Sequence, residues 1–468
     1  PDAKRLDGLY ISMPARPEVA RYYFTSGGGW SGSFGYVPED PSDGPFWTSQ
    51  GFADFVPYVG LTDDHRALQW FADHAHDWVL GDKPMVTLHR AADAVEARIH
   101  LVQQPVTLTD PLEASYGFIA SPVKPMPTGW RHTSLHYSNV MNARTALFYG
   151  SGHGGCFIDP HDSAKLARAL GVKVAKGQDP DAVLAELPPQ RDRIDWQRVR
   201  KSGAVRNPDK AREAARARTD PAAVKHCYFF NAKMYFEGYR SRSFRTFFPG
   251  DWVLDPPSGW FHLTPTESYR DFFTFHMNKW ARHWIMPGMY FDEAYLAPDY
   301  NVLNGNGKPM PDGTVRPTIA LMKQRKFMQR MWRVQQINGL KPFIWVHTSN
   351  YMAPHAISVA DVALFGEDKG PTRITDYVDE VPSILMRTIG RSQKFGFIPI
   401  WMDQAGRTNN LAGARLMWGW CWQHDVVPEY HTSNHLWPLL GARIGWGIAE
   451  DDVEFTPFWD NPAISTGD

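Results

Sequence analysis

The chain has 468 residues, more than one hydrophobic core usually supports, so we expect at least two packed units. Hydrophobic residues make up 43% and charged residues 21%, which indicates a globular protein and not a disordered one. The formal net charge is -1, from 49 basic and 50 acidic side chains, and this balance gives no support to a nucleic-acid partner.

Cysteine and apolar patterns exclude further classes. The sequence has three cysteines, Cys156, Cys227 and Cys421. They are too widely spaced for a disulfide framework or a metal cluster. No run approaches the roughly 18 apolar residues of a membrane span, so no membrane partner is expected. The metalloprotease motif His-Glu-x-x-His is missing from the sequence, and we predict neither a metal nor a cofactor. The pattern does not indicate an oligomeric state.

Residues 1–135 have the pattern of short strands and turns. Four apolar or alternating segments are separated by Gly, Pro and Asp, at 21–26, 84–90, 94–104 and 115–123. In 95-VEARIHLV-102 apolar residues alternate with polar ones, as in an antiparallel strand that is buried on one face. This region is interpreted as an incomplete antiparallel β-sandwich.

From residue 136 to 450 short apolar strands alternate with helical stretches. The predicted strands are 144–150, 225–232, 287–293, 342–348, 361–367 and 397–404, and two of the predicted helices are 265–284 and 316–339. Strands that alternate with helices imply a parallel sheet, and six or more such units in about 310 residues favour a (β/α)8 TIM-like barrel. Residues 160–222 are predicted to be a charged helical insertion, and 451–468 a C-terminal tail.

Polar residues stand where several of these strands end. They are Asn231, Asp292 with Glu293, His347, Glu367 and Asp403. The carboxyl ends of barrel strands face the active site in this fold. We therefore predict that these residues share one site. Asp292 and Glu293 could instead lie solvated in a surface turn, and Glu367 and Asp403 could be helix caps or salt-bridge partners.

The adjacent acids Asp292 and Glu293 end the apolar run 288-GMYF-291. Two carboxylates close together repel, which raises the pKa of one of them. One ionised and one protonated acid are what cleavage of an acetal needs, because the leaving oxygen takes a proton while the transition state is cationic. The pair therefore predicts a glycosidase.

Three segments resemble family 123 glycoside hydrolases and their relatives. They are 46-FWTSQGFADFVPYVGLTDDHRALQWFADHAHDWVL-80, 118-FIASPVKPMPTGWR-131 and 345-WVHTS-349. The resemblance is distributed over most of the chain. It implies a β-sandwich followed by a catalytic barrel, hydrolysis of β-linked N-acetylgalactosamine, an oligosaccharide or polysaccharide substrate, and secretion or export to the periplasm.

The same resemblance implies roles for the adjacent acids. The acetamide oxygen of the substrate would attack, Asp292 would orient and stabilise that acetamide, and Glu293 would protonate the leaving oxygen and then activate water. Other residues are candidates for binding the sugar: Tyr290, Tyr295, Trp345, His347, Glu367, Asp403 and Asn231.

Two alternatives stay open. Without substrate assistance, Asp292 would be the nucleophile of a retaining glycosidase and Glu367 or Asp403 its acid/base. The same cleft could also serve a carbohydrate-binding protein that has no catalytic activity. A dinucleotide site at 150-GSGHGG-155 is rejected, because an extended segment and Asp159-Pro160 follow where a helix is required.

Overall fold

The computed structural model describes most of the chain. The described residues are 4–26, 32–49, 55–136, 145–148, 162–204, 208–209, 212, 227–229, 232–235, 250, 264–283, 289–292, 296–349, 352–367, 381–402, 411–428, 439, 442–443 and 445–464. For part of these only the backbone is described, at 132–136, 145–148, 227–229, 232–235, 290, 292 and 349.

The N-terminal part is built from antiparallel strands. These are β1 Lys4–Leu6, β2 Leu9–Ala15, β3 Tyr22–Ser26, β4 Gly32–Tyr36, β5 Pro45–Thr48, β6 Tyr58–Thr62, β7 Ala67–Ala72, β8 Val86–Arg90, β9 Val95–Val102, β10 Val106–Leu108 and β11 Tyr116–Ala120. One sheet has the order β11-β7-β6-β3-β4 and a second has the order β2-β9-β8-β5, while β1 pairs with β10. The antiparallel sheets predicted for this region are present.

Strand β9 shows why the sequence forms these sheets. Val95 and Ile99 are fully buried, whereas Glu96 and Arg98 between them are partly exposed. The side chains of a strand alternate between its two faces, so one face packs in the core and the other lies towards solvent. The predicted strand at 95–102 is confirmed.

The later part of the chain alternates strands and helices. The strands are β12 Thr133–His136, β13 Thr145–Phe148, β14 Cys227–Phe229, β15 Ala232–Tyr235, β16 Met289–Asp292, β17 Lys308–Pro309, β18 Val315–Arg316, β19 Ile344–Ser349, β20 Val362–Phe365, β21 Ile398–Trp401 and β22 Val427–Pro428. The helices are α1 Ser163–Leu170, α2 Pro180–Glu186, α3 Trp196–Ser202, α4 Glu267–His283, α5 Leu321–Ile337, α6 Ser383–Leu385 and α7 Leu411–Gln423. Helix α6 continues as a π-helical turn, Met386–Gly390. The 3-10 turns are Trp130–His132, Arg191–Arg193, Ser392–Phe395 and Phe458–Asp460.

Parallel pairing organises this part. Strands β15-β16-β19-β20-β21-β22 form a six-stranded sheet and β12-β13-β14 a three-stranded one, all of them parallel. In the sequence, the short antiparallel hairpin β17-β18 follows β16 and precedes α5. The chain is therefore a mixed α/β fold with antiparallel and parallel sheets, and a closed (β/α)8 barrel stays a prediction.

The six-stranded sheet is buried on both faces. One face joins the large core that also contains α5, through Ile344, Val346, Ala363 and Phe365. The opposite face forms a second core cluster, which includes Trp345, Val362, Leu364, Ile398, Ile400 and Val427. Burial on both faces explains why these strands read as continuous apolar runs in the sequence.

Helix α5 is fixed against β16 by aromatic contacts. The Phe327 ring is fully buried, and it makes edge-to-face contacts with Phe291 at 5.7 Å, Tyr269 at 5.5 Å and Phe273 at 5.8 Å between ring centroids. Phe291 immediately precedes the candidate acid Asp292. The packing of Phe327 therefore supports the strand end that carries the predicted site.

Replacement of Phe327 by alanine is expected to lower the free energy of unfolding by about 3–5 kcal/mol, because it leaves a cavity among three aromatic rings. Urea unfolding followed by tryptophan fluorescence measures the change. Gln329→Ala on the exposed side of the same helix is the matched control and should shift the midpoint little. An equal shift in both variants would contradict this packing.

Buried charges join the antiparallel sheets to the later part of the chain. The guanidinium of Arg387 donates to the Asp64 carboxylate at 3.0 and 3.2 Å, and Arg391 lies 3.4 Å from the same carboxylate. The Lys394 ammonium donates to the Thr62 hydroxyl at 2.8 Å and to the Asp63 carbonyl at 3.0 Å. Burial lowers the pKa of Lys394 to about 7, although Asp64 and Asp63 oppose that shift.

The Lys394 shift predicts a pH dependence of stability. From about pH 7 to about pH 10.5, the unfolded chain holds a proton on Lys394 that the folded protein has released. The free energy of unfolding from this group therefore rises with pH across that window. Urea unfolding of wild type and Lys394→Met should show this rise in their difference, and a difference that stays flat would contradict the assignment.

Candidate active site

The parallel register brings the carboxyl ends of β16, β19, β20 and β21 to one edge of the sheet. Phe291 pairs with Val346, His347 with Leu364, and Phe365 with Trp401. Because all these strands run the same way, the residues that end them or follow them lie along that edge. Asp292 ends β16 and Glu367 follows β20, whereas His347 lies inside β19, two residues before the end of that strand at Ser349.

His347 and Glu367, each predicted from its own strand end, are in contact. The His347 Nε2 atom lies 3.0 Å from Glu367 Oε2. The His347 side chain is 3% exposed, whereas that of Glu367 is 30% exposed. The carboxyl group of Glu367 is therefore partly exposed, whereas the imidazole beside it is buried.

The backbone conformation of Gly366 allows the contact between His347 and Glu367. Its φ of +86° lies in the left-handed region, and a Cβ atom there would come 2.6 Å from the Trp401 ring. Only glycine combines this conformation with so close an approach. The chain turns sharply directly after β20, and the next residue, Glu367, contacts His347.

Asp292 is the last residue of β16. It pairs with Tyr235 of β15, and Tyr290 pairs with Trp345 of β19. Strand β16 therefore lies between β15 and the strand that carries His347. This register supports a shared site, although only the backbone of Tyr290 and Asp292 is described.

The remaining predicted site residues divide into two groups. Trp345 is fully buried and packs in the core cluster that includes Val362 and Leu364. Its contact with substrate stays a prediction. Four predicted residues lie outside the described part of the chain: Asn231, Glu293, Tyr295 and Asp403. The glycine run 150–155 also lies there.

Within the described residues, no three His, Cys, Asp or Glu side chains are arranged to hold a metal ion. The same residues contain no helix with the length and apolar character of a membrane span.

Asp299, which the sequence analysis did not single out, organises the loop after β16. It is fully buried, and its Oδ2 atom accepts hydrogen bonds from the Thr264 hydroxyl at 2.6 Å, Asn304 Nδ2 at 2.8 Å and Asn306 Nδ2 at 2.5 Å. The backbone N–H of Asn301 donates to its other oxygen at 2.9 Å. The run of asparagines at 301, 304 and 306 was the available signal, since asparagine commonly fixes loops through its side chain.

Comparison with known proteins gave matches among solved structures alone. No model of a known protein family matches the chain, and no curated protein matches it. The cycloalternan-degrading enzyme from Trueperella pyogenes in complex with cycloalternan is similar with a TM-score of 0.43 and 10% identity, over 94% of this chain and 62% of that one. Ligand-free alpha-N-acetylgalactosaminidase NagBb from Bifidobacterium bifidum gives a TM-score of 0.33 and 11% identity, over 85% and 70%.

These neighbours are glycoside hydrolases, the enzyme class that the sequence predicts. The chain spans 62% of the first neighbour's length. The TM-scores are below 0.5, and the family 123 resemblance stays a prediction.

Substitution of Gly366 by alanine is expected to destabilise the fold by at least about 1–2 kcal/mol, because an L-residue is strained at this φ and its Cβ would strike the Trp401 ring. Urea unfolding measures the loss. Gly419→Ala in α7 is the matched control, since nothing lies within 4 Å of its Cβ position. That control should be neutral or stabilising by about 0.5–1 kcal/mol, and a stable Gly366→Ala variant would contradict the turn geometry.

Proposed function

We propose that the protein is a glycoside hydrolase with its active site at the carboxyl edge of the parallel sheet, and that Asp292 and Glu293 carry out the chemistry. The observation that carries this proposal is the register that sets the Asp292 strand end beside the strand of His347, which is itself paired with Glu367. Glycoside hydrolysis requires a pair of carboxyl groups that flank the scissile bond. Residues 1–135 and 136–450 would be the β-sandwich and the catalytic unit.

Closure of the parallel strands into a (β/α)8 barrel is part of the proposal. Strand β14 lies at the edge of the three-stranded sheet and β15 at the edge of the six-stranded sheet, and only two residues separate them in the sequence, so the two strands would take one position in the barrel. Cα atoms of β12 and β22, the outer strands of those sheets, come within 8 Å of each other. Eight strand positions in cyclic order would result, with the proposed site at their carboxyl ends.

The proposed mechanism uses the substrate's own acetamide group. Its oxygen bonds to the anomeric carbon while the glycosidic carbon–oxygen bond breaks, and Glu293 gives its proton to the leaving oxygen. The carboxylate of Asp292 stabilises the cationic ring that forms. Water then attacks the anomeric carbon, its proton returns to Glu293, and the acetamide is released with retention of configuration.

The His347–Glu367 pair would bind the sugar. A carboxylate that is partly exposed and lies 3.0 Å from an imidazole can accept hydrogen bonds from sugar hydroxyl groups. The substrate would be a β-linked N-acetylated hexosamine in an oligosaccharide or polysaccharide, as the family resemblance implies. Action outside the cytoplasm belongs to this proposal on the same ground.

The exposed fraction of Glu367 favours a second candidate mechanism. Asp292 would act as the nucleophile and Glu367 as the acid/base of a retaining glycosidase, which requires a separation of about 5–5.5 Å between the two carboxyl groups. In that case substrates without a 2-acetamido group would be cleaved equally well.

A panel of aryl glycosides, with and without a 2-acetamido group, tests the function. Wild type should hydrolyse the 2-acetamido members, and Asp292→Asn and Glu293→Gln should lower kcat by about 10²–10⁴-fold. Asp93→Asn, at an exposed site in the N-terminal part, is the control.

Each outcome of this assay has a distinct meaning. If Glu367→Gln loses as much activity as Asp292→Asn, and the 2-acetamido group is not required, the second mechanism holds. Glycan binding without turnover would indicate a carbohydrate-binding protein. Equal turnover by wild type and by both acid variants would contradict the proposed catalytic pair.

A further inference from the structure

The segment from Leu296 to Ala320, here named the linking segment, joins the candidate acids to α5. It begins three residues after Glu293 and ends where α5 starts at Leu321. Its own hydrogen bonds around the buried Asp299 carboxylate fix its first half to Thr264, just before α4. Its second half is held by residues of the N-terminal antiparallel part.

Asp73 makes the contacts at the end of the linking segment. Its backbone carbonyl accepts a hydrogen bond from the Ile319 N–H at 2.7 Å. Its carboxylate oxygen Oδ1 accepts one from the Met322 N–H at 2.8 Å. Asp73 directly follows β7, so the N-terminal sheet fixes its position.

Helix α5 depends on Asp73 because no side chain at its own N-cap position accepts a hydrogen bond from its first N–H groups. The N-cap position is Ala320, with φ of +48°, which makes no side-chain capping bond. The first N–H groups of a helix need acceptors from outside the helix, and carboxylates are among the preferred ones. Asp73 therefore caps α5 from a position 249 residues away in the sequence.

Further contacts bind the middle of the linking segment to the same N-terminal residues. The Lys308 ammonium pairs with the Asp77 carboxylate. The Arg316 guanidinium donates to the backbone carbonyls of Ala75 at 3.1 Å and Trp78 at 2.9 Å. The segment thus has two anchors: Asp299 within it, and residues 73–78 across from it.

We propose that Asp73 is a positioning residue for the candidate catalytic acids, which holds the linking segment and the start of α5 so that the end of β16 keeps its place. This inference rests on the proposed function. It assigns the N-terminal antiparallel part a role in activity, and not only in stability. Phe327 of α5 packs on Phe291, which is next to Asp292, so the position of the capped helix affects the position of the strand end.

The test compares Asp73→Ala with Asp73→Asn in the full chain. Alanine removes the carboxylate acceptor, whereas the asparagine oxygen can still accept from the Met322 N–H. Asp73→Ala should lower kcat on the aryl glycoside that wild type hydrolyses by roughly 10–100-fold, as small misplacements of catalytic groups do, with KM changed far less. Asp73→Asn should keep most of the activity, and Asp93→Ala is the exposed control.

Hydrogen exchange read by mass spectrometry gives a readout that needs no substrate. Asp73→Ala should speed exchange in peptides from 289 to 325, while peptides of β8 and β9 stay unchanged. Unchanged exchange in 289–325 would overturn the inference, and so would faster exchange with unaltered kcat. If wild type hydrolyses no aryl glycoside, the proposed function fails by itself, and the exchange result still decides whether Asp73 holds the segment.

Discussion

The parallel register of β15, β16, β19, β20, β21 and β22 is the constraint on which the candidate site depends. Parallel strands put their carboxyl ends on one edge, so side chains far apart in sequence can meet there without any local motif. The contact between His347 in β19 and Glu367 after β20 depends on this register and on the turn at Gly366. Burial of the sheet on both faces makes the register hard to shift, because a slip by one residue would move each apolar side chain to the wrong face.

The N-terminal antiparallel part is tied to this sheet by two kinds of contact. Around Asp64, charged side chains are buried together, and this burial lowers the pKa of Lys394. At Asp73 the contact is a helix cap and a backbone hydrogen bond. Removing one partner of a buried charged pair is costly, and so is leaving a buried N–H group without an acceptor. The first contact therefore holds the antiparallel sheets to residues 387–394, and the second holds them to the linking segment and α5.

The periodicity of the sequence predicted local strands well, whereas features that depend on contacts between distant residues could not be predicted from it. The alternation at 95–102 identified β9, and the apolar run before Asp292 identified β16. Helix α5 was predicted to start at 316 but begins at Leu321, because Arg316 pairs in a hairpin and Ala320 adopts a left-handed conformation. The contact of His347 with Glu367 needs the turn at Gly366, and the cap from Asp73 spans 249 residues, so neither left a periodic signal.

A double-mutant cycle between Asp292 and Glu367 tests most directly whether the strand ends form one site. The quantity is the transition-state free energy from kcat/KM of wild type, Asp292→Asn, Glu367→Gln and the double variant on one aryl glycoside. Groups that act on the same substrate should couple by about 1 kcal/mol or more. Effects that add within roughly 0.3–0.5 kcal/mol would mean that the two acids are independent, and that the edge of the sheet is not a single active site.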